Sequence, residues 1–210
     1  MLKKKRHFAW LAVLGLMMTF SWANVAQAQA VVVGVVDEDK LADGFKAYKD
    51  AVAKIDTRAQ KLDSQIPARE FLSDTEGKSF DTLIAKSPLS ADEQKQFDTL
   101  VGTGMDRRAK FMTIIAKPNR TEQETKEMKE MQDTMTKNQQ AVRSLSESLL
   151  AAIRKQQDDT DADYTGRANQ VVAQVAADKK LSLVVRKRAV VWSSDTIDIT
   201  TEVLGRLNKA

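Results

Sequence analysis

The chain has 210 residues, with 33 lysines and arginines, 29 aspartates and glutamates, a single histidine (His7) and no cysteine. The lack of cysteine excludes thiolate catalysis, disulfide bonds and cysteine-ligated metal sites. His7 lies in a segment that we interpret as a leader, so the exported chain would also lack histidine-based acid–base and nucleophilic chemistry. Lysine, serine and carboxylates are the groups left for an enzyme. We therefore predict no enzyme, no catalytic or metal-binding residues and no cofactor.

The first thirty residues have the pattern of a secretory signal peptide. Four basic residues at positions 3–6 precede an apolar run over residues 8–22, and a small-residue cleavage site, AQA, ends at Ala28. We expect cleavage after Ala28 or Ala30, which removes a signal peptide of about 28 residues and exports the chain across the inner membrane.

The predicted leader also changes the charge of the exported protein. It holds four of the 33 basic residues and none of the 29 acidic ones, so the exported chain has 29 of each. A near-neutral protein has no strong electrostatic attraction to nucleic acid. We predict no nucleic-acid partner.

The exported chain begins with a β-branched run and continues as a helix. Residues 31–37, VVVGVVD, predict a buried strand that ends at Asp37. Apolar residues then return at alternating spacings of four and three for about four heptads. We expect one helix there, weakened at Gly44 and ended by Pro67. The apolar stripe consists of Leu41, Phe45, Tyr48, Val52, Ile55, Ala59, Leu62 and Ile66.

Residues 68–120 are helical in composition but repeatedly interrupted. The segment 80–86, FDTLIAK, is echoed at 111–117 by FMTIIAK, and each copy is followed by a proline and a capping box that begins at Ser90 or Thr121. We predict short helices joined by turns. The interruptions are Gly77, Pro88, Gly102, Gly104 and Pro118.

One uninterrupted helix is predicted from Thr121 to about Ala177. Its 57 residues contain no proline and would make a rod about 85 Å long, which cannot bury its apolar stripe alone. A polar stretch over residues 156–163 interrupts the stripe. We expect that stretch to leave part of the outgoing stripe uncovered, because both helices should pair near the chain ends.

The C-terminal part changes to a strand pattern. Residues 181–185 and 189–192 are two strand-like runs, and the basic triplet at 186–188 between them predicts a β-hairpin. A short final helix is indicated after a cap at Asp198 or Thr200.

The order of elements predicts an α+β fold that is mostly α. Residues 31–37 and 179–210 would form a small β body with a C-terminal helix. Residues 38–178 would form an antiparallel, coiled-coil-like helical hairpin, because helices that leave the body must return to it. The interrupted segment 68–120 would cover the outer half of the long helix or fold into a knob at its tip.

The chain ends resemble the Skp/OmpH family of periplasmic chaperones. The residues that carry the resemblance are VGVVD at 33–37, LSLVV at 181–185, AVVWSS at 189–194 and DITTEVL at 198–204. The middle of the chain matches in helical character.

The resemblance implies a homotrimer in the periplasm whose helical hairpins surround a cavity. Unfolded outer-membrane proteins would be held there without ATP. Three features depart from the family pattern, namely the interrupted segment, the balanced charge and the basic triplet at 186–188. The alternative function is a structural or adaptor coiled-coil protein of the cell envelope.

Three groups of residues are candidates for binding. The methionines suit adaptable contacts with clients, although ordinary helix packing explains their spacing as well. The basic triplet could contact anionic head groups of a membrane surface or form a solvated turn. Candidate client contacts are Phe45, Tyr48, Val52, Ile55, Met128, Met131 and Met135; candidates for the oligomer or body core are Val33, Val35, Leu183, Val185, Val190 and Trp192; candidates for the anionic surface are Arg186, Lys187 and Arg188.

Overall fold

A computed structural model describes residues 31–209, so the predicted signal peptide lies outside the described residues. The fold is α+β and mostly α, which confirms the predicted class. The elements in chain order are β1 (Val33–Val36), α1 (Glu38–Gly44), α2 (Lys46–Arg69), α3 (Asp74–Ala85), α4 (Ala91–Ile115), α5 (Glu122–Asp178), β2 (Leu183–Arg186) and α6 (Thr200–Leu207).

The two strands come from opposite ends of the chain and pair in parallel. Val33 lies opposite Leu183, and the register continues to Val36 opposite Arg186. On its other edge β1 is covered, because the backbone N–H of Ile199 donates to Val35 O at 2.9 Å. A parallel pair needs a long crossover connection, and here the helices between the strands supply it.

The predicted β-hairpin is wrong. Residues Lys187–Ala189 form a single 3-10 turn after β2, and residues 190–192 are not a strand. Lys187 Nζ lies 3.7 Å from Asp37 Oδ2, while Arg186 and Arg188 both pair with Glu38, at 2.9 and 3.1 Å. These ion pairs hold the basic triplet against the start of α1. Residues 189–192 therefore do not pair with the outer edge of β2 as a second strand of a hairpin.

The outgoing helix is broken near its start, where the sequence predicts only a weak point. The first helix, α1, ends at Gly44, where the chain packs closely on α6: a Cβ at this position would lie 2.4 Å from Leu204 Cδ2. Asn208 bridges the break, since its Oδ1 accepts from Lys46 N and its Nδ2 donates to Gly44 O, both at 3.0 Å. The break therefore lies where the helix leaves the body.

Pro67 does not end α2, which continues to Arg69. The proline lies in the last turn, where the missing N–H costs one backbone hydrogen bond close to the point where the helix ends in any case. The predicted end of the helix is therefore wrong by a few residues.

The predicted interruptions at Gly77, Gly102 and Gly104 are also wrong, because α3 runs unbroken through Gly77 and α4 runs unbroken through Gly102 and Gly104. A Cβ at Gly104 would lie only 2.2 Å from Ala68 O, so the glycine allows α4 to approach α2 closely. Gly102 has open space around it. The helix thus keeps its geometry at both glycines, and one of them serves packing.

Capping boxes start three of the helices. Thr121 Oγ1 accepts from Glu124 N at 3.1 Å at the start of α5, and Ser90 caps α4 in the same way, which confirms both predicted boxes. The third box, at Ser73, starts α3 and was not predicted. The observed bounds of α5 match the predicted long helix within a residue at each end.

Two hydrophobic cores lie at different heights along α5. The arm core joins α2, α3, α4 and the middle of α5, and the body core joins β1, α1, α6 and the end of α5. The arm core consists of Ile55, Leu62, Ala68, Leu72, Phe80, Leu83, Ile84, Phe97, Leu145, Leu149 and Ile153. The body core consists of Val36, Leu41, Phe45, Ala168, Val171, Val175, Ile199, Val203 and Leu207.

Candidate functional site

The long helix α5 has different partners along its length. Its C-terminal half packs against α2 and then against the body, as the sequence predicts. Its N-terminal half lies beside α4, where Lys110 Nζ pairs with Glu127 Oε2 at 2.9 Å and Met131 lies near Phe71. The segment 68–120 thus covers the outer part of α5, and α3 folds back along α2.

The polar stretch of α5 is bonded to α2 and does not leave the outgoing stripe open. Tyr48 stacks on Tyr164, with ring centroids 4.4 Å apart, and its hydroxyl donates to Asp161 Oδ1 at 2.9 Å. The hydrogen bond to Asp161 raises the pKa of the Tyr48 hydroxyl, and burial adds to the rise. Farther along, Arg58 donates to Gln156 at 3.1 Å. The expected open stripe is therefore wrong at this level of the arm.

A buried polar clamp fixes the turn between α2 and α3. Asn138 of α5 donates to Leu72 O at 2.8 Å and to Glu70 O at 2.9 Å, and its Oδ1 accepts from Arg69 at 2.8 Å. The guanidinium of Arg69 also donates to both carboxylate oxygens of Asp81, at 2.8 and 3.1 Å. Within residues 31–209, no buried side-chain nitrogen or oxygen lacks a partner. The buried polar groups of the clamp are therefore all hydrogen-bonded.

The sequence carried a signal for this clamp that the helical analysis passed over. Asn138 follows Met135 by three residues and precedes Val142 by four, so it occupies an apolar-stripe position. An amide at such a position is buried, and a buried amide needs partners. Its partners could not be named from the sequence, since they come from a turn 66 to 69 residues away.

The predicted client contacts are distributed between the cores and the surface. Phe45 and Ile55 are only 4% and 2% exposed, so both belong to the cores and offer no surface in this conformation. Tyr48 and Val52 are half-buried. The methionines Met128, Met131 and Met135 are also half-buried along α5.

A groove, which we call the seam groove, runs along the α2–α5 contact. Its inner depression, of about 330 Å³, is mostly apolar and lies where Leu150, still 51% exposed, faces Ile66 and Pro67. Its outer depression, of about 320 Å³, follows one helical turn farther out, where Met135 and Val142 lie among mostly polar side chains that include Glu70. The apolar spacing of α5 does not reveal this groove, because it places Leu149 in the stripe and leaves the neighbouring Leu150 outside it.

The seam groove lies on the flank of α2 away from α3 and α4. The groove side of α2 carries Ala59, Asp63 and Ile66, whereas the side facing α3 and α4 carries Arg58 and Gln65. Successive turns of one helix face therefore line the groove. Within the described chain, nothing covers this flank.

The body also exposes apolar side chains. Trp192 is 81% exposed, Val191 is fully exposed and Leu183 is about half exposed. Of the other predicted body residues, Val35 is buried, and Val33, Val185 and Val190 are half-buried. These exposed side chains lie along β2 and the segment that follows it.

The predicted anionic-surface residues are already engaged within the chain. Arg186 and Arg188 pair with Glu38, and Lys187 pairs with Asp37 and Asp198. A negatively charged surface would have to compete with these carboxylates. Contact with a membrane surface stays a prediction.

The described residues offer neither a membrane-spanning helix nor a metal centre. Across residues 31–209, no helix is both long and apolar enough to cross a bilayer. The same residues hold no cluster of three or more histidine, cysteine or acidic side chains suited to a metal ion.

Comparison with protein families adds to this geometry. Residues 32–207 match the family described as outer membrane protein (OmpH-like). The chain belongs to the Skp/OmpH family. The match confirms the resemblance seen at the chain ends and extends it through the helical middle. Proteins of the Skp/OmpH family are periplasmic chaperones and not enzymes. No curated protein matches the chain significantly.

Proposed function

We propose that this Skp/OmpH protein is an ATP-independent periplasmic holdase that keeps unfolded outer-membrane proteins from aggregating. The protein would act as an oligomer, a homotrimer by family resemblance, whose arms enclose the client. The family membership supports the chaperone class. The support for an oligomer comes from the apolar surface of the body.

The observation that carries the proposal is the apolar surface of the body. Val191 and Trp192 extend into solvent beside β2, whose only partner among the described strands is β1. An exposed strand edge next to large apolar side chains is typical of an interface with another chain. A small body made of two short strands and two short helices gains a larger core by associating.

The arms suit a holdase because they combine a packed interior with an open flank. The arm core and the Asn138 clamp keep the helices together. The seam groove and the half-buried methionines offer many small apolar contacts, and methionine adapts to differing partners. Weak contacts of this kind can hold an unfolded chain without a folded binding site.

The test is suppression of aggregation. A urea-unfolded outer-membrane β-barrel is diluted in the absence of ATP, with and without the protein that begins at Val31, and light scattering is followed. We expect scattering to fall as the chaperone approaches stoichiometry. Unchanged scattering at a several-fold excess would refute the proposal.

A paired variant connects the body surface to this activity. Val191→Ser with Trp192→Ser should lower both the mass in solution and the suppression of aggregation, because it removes the apolar interface. The control, Met112→Ser with Ile115→Ser, removes exposed apolar side chains at the end of α4 and should leave the mass unchanged. Capture of one folded partner in fixed ratio, without any suppression, would instead favour the envelope adaptor.

A further inference from the structure

The charged side chains that line the seam groove are both acidic. Asp63 lines the inner depression and Glu70 the outer one. Asp63 lies on α2, and Glu70, seven residues later, is the residue that caps its C-terminal end. Asp56 precedes Asp63 by seven, so all three recur on one side of the helix. The groove therefore has a negative rim along its α2 side.

The α5 side chains that line the two depressions are uncharged, and they include Ser146, Gln139 and Leu150. Two exposed arginines of the same helix face flank the depressions without lining them. Arg143 pairs with Glu147 at 3.1 Å, and Arg154 lies one turn beyond Leu150. In the described part of the chain, Asp63 and Glu70 form no ion pair.

We propose that the seam groove binds unfolded client segments in which apolar residues alternate with basic ones. Apolar side chains of an extended segment would fill the depressions at Leu150 and Val142. Lysine or arginine side chains between them would reach the carboxylates of Asp63 and Glu70. Charge complementarity would thereby select among apolar segments, and acidic segments would be disfavoured by repulsion.

This inference rests on the proposed holdase function and adds a preference for client chemistry. The balanced charge of the exported chain supplies no long-range attraction, so selection depends on these local carboxylates. Contacts with exposed carboxylates are individually weak. We therefore expect a modest preference that disappears in high salt.

The test uses three fluorescent peptides of about twelve residues, in which leucine alternates with lysine, glutamine or glutamate. Fluorescence anisotropy with the exported protein gives the dissociation constants at 0.15 M and at 0.5 M salt. We expect the lysine peptide to bind tightest and the glutamate peptide weakest, with the preference reduced at the higher salt concentration. Equal affinities at the lower salt concentration would overturn the inference.

Neutral variants assign the preference to the groove. Asp63→Asn with Glu70→Gln should reduce the lysine-to-glutamate preference about three- to tenfold. The matched control, Asp133→Asn with Asp158→Asn, removes two exposed acids of α5 outside the groove and should change nothing. A preference that survives in the first variant, or falls equally in both, would contradict the assignment.

Leu150→Gln tests the apolar part of the groove. Because Leu150 is half exposed, the substitution should leave the fold intact and weaken all three peptides about tenfold while keeping their order. If Leu150→Gln lowers the mass of the oligomer and leaves peptide binding unchanged, the groove is an interface between copies, and the inference is wrong.

Aggregation assays run in parallel separate the two proposals. Suppression of aggregation without a charge preference in peptide binding would overturn this inference alone. A charge preference without suppression of aggregation would overturn the holdase function.

Discussion

The body core and the arm core are built from different kinds of contact. The body core joins residues from the two ends of the chain, such as Leu41 and Val203, and its sheet pairs Val33 with Leu183. The arm core joins successive helices between Ile55 and Ile153 and adds the buried Asn138 clamp. Between the two cores, Tyr48 packs against the edge of the body core and donates a hydrogen bond to Asp161. The arm can thus be stabilised independently of the body, which is left with an exposed apolar surface.

The largest expected effects come from removing one large side chain in each core. Phe80→Ala in the arm should lower the free energy of unfolding by about 3–5 kcal/mol, and Leu41→Ala in the body by about 2–5 kcal/mol, because both side chains are fully buried. Urea unfolding is followed by circular dichroism, and hydrogen exchange of backbone amides compares the two cores. Amides of the body should lose more protection in Leu41→Ala, and amides of the arm should lose more in Phe80→Ala. An equal loss in both cores for both variants would show that the two cores unfold as one.

The next largest loss of stability is expected from removing the buried polar clamp at Asn138. Asn138→Ala leaves Nη1 of Arg69 and the carbonyl of Leu72 without their hydrogen-bond partner, while Asp81 still pairs with Arg69, and this should cost about 3 kcal/mol. The control is Gln140→Ala, an exposed position on the same helix. Urea midpoints measure both. If the two variants had the same midpoint, the clamp would not stabilise the arm.

Two glycines of α4 should respond to alanine in opposite directions. Gly104→Ala places a methyl group against Ala68 O and should destabilise the protein by about 1–3 kcal/mol. Gly102→Ala enters open space and should stabilise the helix by about 0.5–1 kcal/mol, because alanine favours helix. Thermal unfolding of both variants checks the sign, and a gain in stability at Gly104 would disprove the close approach of α4 to α2.

A further small effect is expected in the pH dependence of the ion pair between α3 and α4. Hydrogen bonds from Arg107 lower the pKa of Glu76 from 4.5 to about 2. The stabilisation is present above pH 4.5 and is lost as the pH falls towards 2. Since the pair is partly exposed, we expect about 1 kcal/mol after screening by solvent. Urea midpoints between pH 5 and pH 2 should fall less in Glu76→Gln, whereas Glu147→Gln, which removes a surface pair, should behave like the unmodified protein.

Local patterns were enough to predict α5, and they failed where distant segments meet. The capping box at Thr121 and the proline-free run to Ala177 determine α5 almost to the residue. The parallel pairing of β1 with β2 could not be predicted, because it joins Val33 to Leu183, which lies 150 residues away in the sequence. Strand propensity alone therefore favoured a hairpin.

The candidate site shows the same division. The half-buried methionines follow from helical spacing, whereas the seam groove depends on how α2 and α5 are rotated against each other. Helical spacing identifies which face of α2 is apolar, but it does not show that Leu150 is left uncovered. The sequence likewise predicts a helix interruption at Gly104. The role of this glycine in packing depends on the carbonyl of Ala68, which belongs to another helix and cannot be identified from the local sequence.

The mass in solution of the protein that begins at Val31 tests the proposed trimeric holdase most directly. Sedimentation equilibrium, with and without a urea-unfolded outer-membrane β-barrel, measures how many chains assemble and whether a client joins them. The proposed function predicts three chains alone and three chains with one client after dilution from urea. A single chain that stays single at working concentration, with or without the client, would contradict it, because one arm cannot enclose a cavity.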